Sequence, residues 1–417
     1  MASETSRIKP QWKLVEGPTP YFFIFLIIVV SQMISYPLSR ILPDPLFSRF
    51  ESLTGTSLIR FSYLVSIVTF LVLLFVYRLF PCRRWLREFQ LREATGHSDR
   101  EFKLLWFATS FGTLVLCLVA FVRMGYSFPM FLASNISQVD YTFLRFNVKS
   151  MIRSEIIVIC QYIFLPLNII SAFTMSKSFF IYRVGTTILF CLVGLFALER
   201  STMVIPILVY LVARISFKPI KWNRILGSLS LAILISVFMV ILSMAEAIDQ
   251  FSTAFELYLG RVIHGQWLGL PAYLWFYSKT TAEFTSVLHP YIKFILGIES
   301  ITPGTQLMIE IYPKIPVDAT GNIPTMFIGE AYAIGGWPFV MFSIVHVSLF
   351  LSLCAWLFSR LPKTPLSCAL CGIIVVKSAI GVVLGYSAFM FSQLTFFVLV
   401  VYLYSIKQRK WLLTRRL

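Results

Sequence analysis

Ionisable side chains at the borders of apolar segments are the residues of this chain whose types and spacing point most directly to chemistry. Glu330 lies in the stretch NIPTMFIGEAYAIGGWPF, just before a long apolar run. Arg261 and His264 are three residues apart, a spacing that places both on one face of a helix. Arg200 follows Glu199 between two apolar segments. Because ionisable groups at a membrane border often act in binding or catalysis, these positions are the first candidates for a site.

Arginine is the residue type in this set that indicates which ligand the site would bind. A guanidinium group binds phosphate oxygens bidentately and keeps its charge. Two such groups beside a diphosphate could stabilise a departing lipid diphosphate without a metal ion. We therefore predict phosphate binding by Arg145, Arg200 and Arg261, with no metal and no cofactor.

A histidine or a carboxylate near those arginines could position or deprotonate an acceptor hydroxyl. This chemistry predicts Glu330, His264 and Arg261 as the catalytic group, and we expect Glu330 to face a cavity between an external segment and the lipid. Further substrate contacts are predicted for Tyr332, His289 and Asn322.

Purely structural interpretations of the same residues stay open. Glu330 could cap or pair at a helix N-terminus, where the helix dipole favours a carboxylate. Arg200 could pair with Glu199, and His289, which precedes Pro290, could be a turn residue. Tryptophan and tyrosine gather at membrane interfaces whether or not they bind sugar.

The chain that must position these residues is strongly apolar, with 58% hydrophobic and 13% charged residues among 417. Runs of about 18 to 22 apolar residues recur along it, long enough to cross a bilayer as helices. We predict an all-α polytopic membrane protein in which residues 1–417 form a single integral membrane domain with about ten transmembrane helices. The predicted spans are Tyr21–Tyr36, Leu58–Leu79, Leu104–Val122, Ile156–Met175, Val184–Leu198, Met203–Ala213, Ile225–Met244, Trp337–Phe358, Leu366–Leu384 and Ala388–Ile406.

Lysine and arginine clusters set the predicted orientation. Placing both termini in the cytoplasm puts Arg83, Arg84, Arg87 and the basic C-terminal tail on the inner side. The net charge of +17 is then explained by membrane topology, which argues against a nucleic-acid partner. Residues 245–336 become a large external loop whose composition predicts a folded, partly helical cap.

Three stretches resemble the O-antigen polymerases, also called oligosaccharide repeat-unit polymerases, of bacterial envelope polysaccharide pathways. They are GYSFPMFLASNISQVDYTFLRFNV, LVGLFALERSTMVIPILVYLVARI and NIPTMFIGEAYAIGGWPF. The third is similar to the family pattern in which Pro-Thr and then Gly-Glu-x-Tyr precede a late span. The similarity extends over roughly residues 100 to 360.

This resemblance implies a glycosyltransferase that transfers a growing glycan from undecaprenyl diphosphate to a new lipid-linked repeat unit. It implies a location in the bacterial inner membrane with the active face in the periplasm. The partners are then the undecaprenyl-diphosphate-linked oligosaccharide and the lipid bilayer, and a chain-length regulator protein is a candidate partner. By the same resemblance, Arg200 corresponds to the family arginine after a span, Arg261 and His264 to basic positions that open the large loop, and Glu330 to the acid of the Gly-Glu pair.

Two other classes remain. An O-antigen ligase or another glycan ligase would share the donor and the architecture, and a histidine in the large loop is typical of that group. A flippase or transporter for lipid-linked glycan would be expected to carry charges through several spans, whereas Lys377 is the one charge clearly inside a predicted span.

Overall fold

The computed structural model describes residues 18–41, 51–93, 99–126, 159–174, 180–197, 201–227, 268–311 and 323–414, apart from positions 219, 289, 324 and 391, and also positions 156 and 230. The regular secondary-structure elements in these ranges are all helices. Six of the predicted site residues lie outside the described residues. They are Arg145, Arg200, Arg261, His264, His289 and Asn322.

Fourteen α-helices occur in the described ranges, together with π-helical and 3₁₀ segments. In the first half of the chain they are α1 (Phe22–Ile28), α2 (Ser35–Ile41), α3 (Thr56–Leu79), α4 (Cys82–Leu91), α5 (Asp99–Arg123), α6 (Leu165–Thr174), α7 (Phe180–Ala197) and α8 (Ser201–Phe217). In the second half they are α9 (Gly269–Tyr277), α10 (Pro290–Leu296), α11 (Pro303–Ile311), α12 (Phe327–Arg360), α13 (Pro365–Leu384) and α14 (Gln393–Thr414). The π-helical segments are Val29–Ile34, which joins α1 to α2, and Cys160–Phe164, which precedes α6.

Five stretches are long and apolar enough to cross a membrane: Thr56–Leu79, Phe102–Arg123, Phe327–Arg360, Pro365–Leu384 and Tyr386–Ile406. Shorter apolar helices run over Phe22–Leu38, Phe180–Gly194 and Ile205–Phe217. Each predicted span coincides with one or more observed helices except Ile225–Met244, most of which lies outside the described residues. This arrangement indicates an all-helical, multi-pass membrane protein.

Helix α13 is the centre of the bundle. Of its apolar stretch 83% is buried, compared with 28% for α3, so protein rather than lipid surrounds α13. Helices α1 and α8 pack along it. The approach to α8 is so close that a Cβ atom at Gly372 would come within 2.6 Å of the Val209 carbonyl oxygen. Small residues of this kind let helix backbones approach one another in membrane proteins.

A polar junction holds α5, α6 and α7 together. The side-chain amide of Asn168 donates to Ser110 Oγ at 2.6 Å, and its Oδ1 accepts from Thr186 Oγ1 at 2.6 Å. Trp106 Nε1 donates to the same Thr186 hydroxyl at 2.8 Å. Hydrogen bonds between helices supply attraction in an environment where apolar contact alone is weak.

Several chain segments meet at one end of α12, near its last residue. Gln90 Nε2 donates to the carbonyl oxygens of Pro18 at 3.2 Å and Ile215 at 3.0 Å. Lys363 Nζ donates to the carbonyl oxygen of Gln90 at 2.6 Å. Helix α4 and the last turn of α8 therefore lie together, so the basic residues of α4 and Arg214 of α8 occur at the same end of the bundle.

Helices α9, α10 and α11 form a compact unit at the opposite end of α12. The Tyr277 hydroxyl donates to the Pro303 carbonyl oxygen at 2.9 Å, joining α9 to α11. The backbone amide of Ala282 donates to the Ala333 carbonyl oxygen at 2.8 Å, joining this unit to the first turns of α12. The described part of residues 245–336 is thus largely helical and packs against α12, and its assignment to an external cap stays a prediction.

Candidate functional site

Helix α12 is interrupted near its start. Gly335 (φ −150°, ψ 22°) and Gly336 (φ 62°, ψ −153°) are not helical, so residues 327–334 form a short helix that is followed by a longer one. The positive φ of Gly336 explains the glycine there, because other residues rarely adopt it. The longer helix resumes at Trp337, the residue at which the sequence predicts the span to begin.

A second interruption separates α13 from α14. Helix α13 ends at Leu384, Gly385 follows with φ 153° and ψ 163°, and residues Tyr386–Phe389 form a single 3₁₀ turn. A Cβ atom on Gly385 would overlap the carboxyl group of Glu330. Glycine at this position therefore provides the space into which Glu330 extends.

Glu330 lies where the two interruptions meet. It belongs to the first turn of α12, is 2% exposed, and its Oε2 atom accepts a hydrogen bond from the Ser387 backbone amide at 2.8 Å. The expectation that Glu330 faces an open cavity is wrong, because protein encloses the side chain. The capping interpretation comes closer to the geometry, but the helix that receives the cap is the 3₁₀ turn after α13 and not α12 itself.

Other ionisable side chains surround Glu330 from the α9 to α11 unit. Lys293 is 8% exposed and donates to the carbonyl oxygens of Ser286 at 2.8 Å and Ser300 at 3.0 Å. Burial lowers the pKa of Lys293, and the Glu330 carboxylate is near enough to raise that pKa in part. Opposite charges thus occupy one buried region, which reduces the cost of placing either there.

Tyr273 of α9 is the second neighbour of Glu330. Its side chain is fully buried, and its hydroxyl has no hydrogen-bond partner among the described residues. Burial, and then the charge of Glu330, raise the pKa of Tyr273 well above its usual value. The hydroxyl therefore stays protonated at neutral pH and is an available donor close to a carboxylate.

His346 is a member of this region that the sequence interpretation did not select. Its Nδ1 atom and the Tyr386 hydroxyl share a hydrogen bond of 2.8 Å, and its ring stacks on Phe342 with centroids 6.0 Å apart. Tyr386 belongs to the same 3₁₀ turn that Glu330 caps. The signal available in the sequence was a lone histidine inside an apolar helix, but its partner is 40 residues further along the chain.

Tyr332 takes a different position from Glu330, although both lie on the short first helix of α12. Tyr332 is half-buried, and its ring centroid is 5.2 Å from that of Trp337, which is 40% exposed. Tyr332 therefore lies nearer the protein surface than Glu330, where a ligand could reach it more easily.

Of the predicted site residues, the structure describes Glu330 and Tyr332, and it places Lys293, Tyr273 and the His346–Tyr386 pair near Glu330, whereas Tyr332 packs against Trp337. The other six predicted residues lie outside the described ranges, so their placement stays a prediction. In the part of the chain that the structure describes, no three His, Cys, Asp or Glu side chains gather as a set of metal ligands. No family model, curated protein or solved structure matches the chain.

Chemically, this arrangement is a carboxylate that holds a chain turn in place. Its hydrogen bond fixes the start of the 3₁₀ turn, while the nearby Lys293 ammonium group offsets part of its charge. Backbone outside regular helix is tolerated within a membrane protein where it is enclosed by protein or lines a cavity. Interrupted helices of this kind often border binding sites in membrane proteins.

Proposed function

We propose that this protein is a membrane glycosyltransferase that polymerises undecaprenyl-diphosphate-linked oligosaccharide repeat units into O-antigen or a related surface polysaccharide. It acts as an oligosaccharide repeat-unit polymerase in the bacterial inner membrane, with about ten transmembrane helices and both termini in the cytoplasm. The unit containing α9 to α11 faces the periplasm and forms part of a cap over the donor and acceptor lipids.

The observation that carries this proposal is the buried carboxylate of Glu330 at the junction of two interrupted helices. It occurs within the Gly-Glu-x-Tyr stretch on which the resemblance to repeat-unit polymerases rests, and directly beneath the α9 to α11 unit. An ionisable group buried in an apolar bundle is costly, so a functional reason for keeping it is expected. Its burial favours a positioning role for Glu330 rather than direct contact with substrate.

The proposed reaction is a displacement at the anomeric carbon of the growing glycan. A hydroxyl of the incoming lipid-linked repeat unit attacks this carbon, and the new glycosidic bond forms as the carbon–oxygen bond to the diphosphate breaks. His264 accepts the proton of the hydroxyl, while Arg200, Arg261 and Arg145 bind the departing undecaprenyl diphosphate. Tyr332, His289 and Asn322 contact the sugars, and no metal is required.

Glycan length in cells tests the proposal. Cells that lack the gene receive wild-type, Arg200→Ala, Arg261→Ala or Glu330→Gln copies at matched protein levels, and the glycan is resolved on a gel. We expect single-repeat glycan in the deletion strain and a full ladder with wild type. The arginine variants should be less active than wild type by roughly 10²-fold or more, because each lacks a guanidinium group that stabilises the charge developing on the leaving group.

Glu310→Gln is the matched control for Glu330→Gln, because Glu310 is an exposed carboxylate of α11 and its loss should leave the ladder intact. Normal ladders in Glu330→Gln cells would remove the charge of Glu330 from the chemistry, because the glutamine retains an oxygen that can accept from Ser387. Full-length polymer that accumulates on its lipid carrier in the deletion strain would identify a ligase instead. Repeat units trapped in the cytoplasm would identify a transporter.

A further inference from the structure

Four large apolar side chains of the α9 to α11 unit are exposed. Ile295 and Leu296 of α10 are 79% and 60% exposed, and Phe284 and Ile301, from the segments on either side of α10, are exposed as well. These four residues are called the apolar edge below. Apolar side chains exposed as a group mark contact with another protein or with a membrane.

Lys293 gathers the segments that carry the apolar edge. Its buried Nζ atom donates to the carbonyl oxygens of Ser286 at 2.8 Å and Ser300 at 3.0 Å. Phe284 is two residues before Ser286, and Ile301 directly follows Ser300. The third segment is α10, to which Lys293 itself belongs. Three segments are thus held together around one ammonium group.

Helix α10 turns an apolar face outward. Ile292, Ile295 and Leu296 are separated by three and four residues, the spacing that places side chains on one face of a helix. Ile292 is half-buried and the other two are exposed, whereas Lys293 points into the unit. A helix with an apolar face of this kind is suited to lie along a bilayer surface.

The lipid-facing side of α12 is visible as a row of exposed apolar side chains at every fourth position. The row consists of Trp337, Met341, Val345, Leu349 and Leu353. Because an exposed apolar row on a membrane-spanning helix faces the hydrocarbon, this side of α12 contacts lipid.

Two exposed tryptophans mark the ends of this lipid-facing side. Trp337 begins the long part of α12, and Trp356 lies near its end, where the Arg360 guanidinium carbon is 5.4 Å from the ring centroid. The helix between the two tryptophans is about 28 Å long at 1.5 Å per residue. The hydrocarbon core of a bilayer is about 30 Å thick, and tryptophan gathers at both of its borders. Trp337 therefore marks one border of the hydrocarbon.

The apolar edge is continuous with the lipid-facing side of α12. The ring centroid of Phe284 is 6.4 Å from that of Phe339, which in turn is 5.5 Å from that of the exposed Phe342. Phe339 is two residues beyond Trp337, on the hydrocarbon side of the border. The apolar edge thus reaches the membrane border and does not begin above it.

We infer that the apolar edge inserts into the border region of the bilayer, where lipid headgroups meet acyl chains. A protein partner fits this surface less well, because a stable protein interface takes roughly 20 to 30 residues a side and the edge supplies four. The α9 to α11 unit then rests on the membrane instead of standing in the aqueous phase.

Charged neighbours limit the depth of this insertion. Glu283 directly precedes Phe284, Glu299 is two residues before Ile301, and both glutamates are exposed. Because a carboxylate is costly in hydrocarbon, the two glutamates keep the unit at the level of the headgroups.

Spin-label accessibility in the full-length protein tests the insertion. Six of the seven cysteines are buried and Cys191 is exposed, so Cys191→Ala provides the background for labelling. Ile295→Cys and, as a second position, Leu296→Cys place a nitroxide on the apolar edge, where the replaced side chains are largely exposed. Glu310→Cys is the matched control, at an exposed carboxylate of α11. Each labelled protein is reconstituted into vesicles of phosphatidylethanolamine and phosphatidylglycerol.

Collisions of each nitroxide with oxygen, which concentrates in lipid, are compared with collisions with a water-soluble nickel chelate. We expect the ratio of oxygen to nickel accessibility to be several-fold higher at positions 295 and 296 than at position 310. A ratio at 295 and 296 equal to that at 310 would place the apolar edge in water and overturn the inference. Shielding of both positions from both reagents would show that protein covers the edge, which would overturn it equally. No glycan substrate enters the measurement, so its outcome does not depend on the reaction proposed above.

Discussion

The Oε2 atom of Glu330 accepts a hydrogen bond from the backbone amide of Ser387 at 2.8 Å, and the two residues are 57 positions apart in the sequence. This bond joins the first turn of α12 to the 3₁₀ turn between α13 and α14. Helix α12 is interrupted at Gly335 and Gly336, and α13 ends at Leu384. The contact therefore replaces part of the regular backbone hydrogen bonding that is lost at these interruptions.

Gly385→Ala is expected to destabilise the protein, because the added methyl group would occupy the position of the Glu330 carboxyl. Overpacking of this kind costs roughly 1–3 kcal/mol. The thermal unfolding midpoint of detergent-purified protein would measure the loss. Gly227→Ala is the control, since a Cβ atom there would meet nothing within 4 Å.

The combination Gly385→Ala/Glu330→Ala separates this clash from a general intolerance of alanine at position 385. Removing the carboxyl should restore part of the lost stability, so the two substitutions should be less than additive. Additive effects would show that the two residues do not compete for the same space.

Glu330→Gln and Glu330→Ala should differ in stability. The glutamine retains an oxygen that can accept from Ser387, whereas alanine leaves that amide buried without its partner. An unsatisfied buried donor costs roughly 1–3 kcal/mol, so the alanine variant should unfold at the lower temperature. Glu310→Ala, at an exposed position, should have the same thermal unfolding midpoint as wild type. Identical midpoints for both Glu330 variants would contradict the cap.

Lys293 should make stability depend on pH in the alkaline range. Because burial lowers its folded pKa below the ordinary value of 10.5, the unfolded chain binds more protons between the two values. Wild type should therefore gain stability relative to Lys293→Met as the pH rises through this window. In Glu330→Gln the gain should begin at lower pH, because the carboxylate that raises the pKa of Lys293 is gone. A difference that does not change with pH would refute this.

His346 and Tyr386 should be energetically coupled. Their hydrogen bond of 2.8 Å is partly buried, and loss of His346 would leave the buried Tyr386 hydroxyl without its partner. In a cycle of His346→Phe, Tyr386→Phe and the double variant, the coupling free energy of unfolding should be about 1 kcal/mol. Thr187 and Ser405 bond only within their own helices. The pair Thr187→Val/Ser405→Ala is the control, and it should show no coupling.

The helices were predictable from the sequence because their signal is local. The start of the span at Trp337 follows from an apolar run after two glycines, and the structure has the helix resume there. The environment of Glu330 was not predictable in the same way, since the space it fills comes from the missing side chain of Gly385, 55 residues away. A charge beside an apolar run shows that a group is costly, but it does not show which distant segment compensates it.

The central position of α13 has a consequence for biogenesis. Helix α1 is synthesised well before α13, against which it packs. The Tyr21 hydroxyl likewise bonds to the Leu351 carbonyl oxygen across 330 residues. Until α13 has been synthesised, α1 and α8 lack this packing partner, and the surfaces that will contact α13 face lipid. We expect nascent chains that stop before α13 to be early substrates of membrane proteases, and assembly to be completed only after α13 has been synthesised.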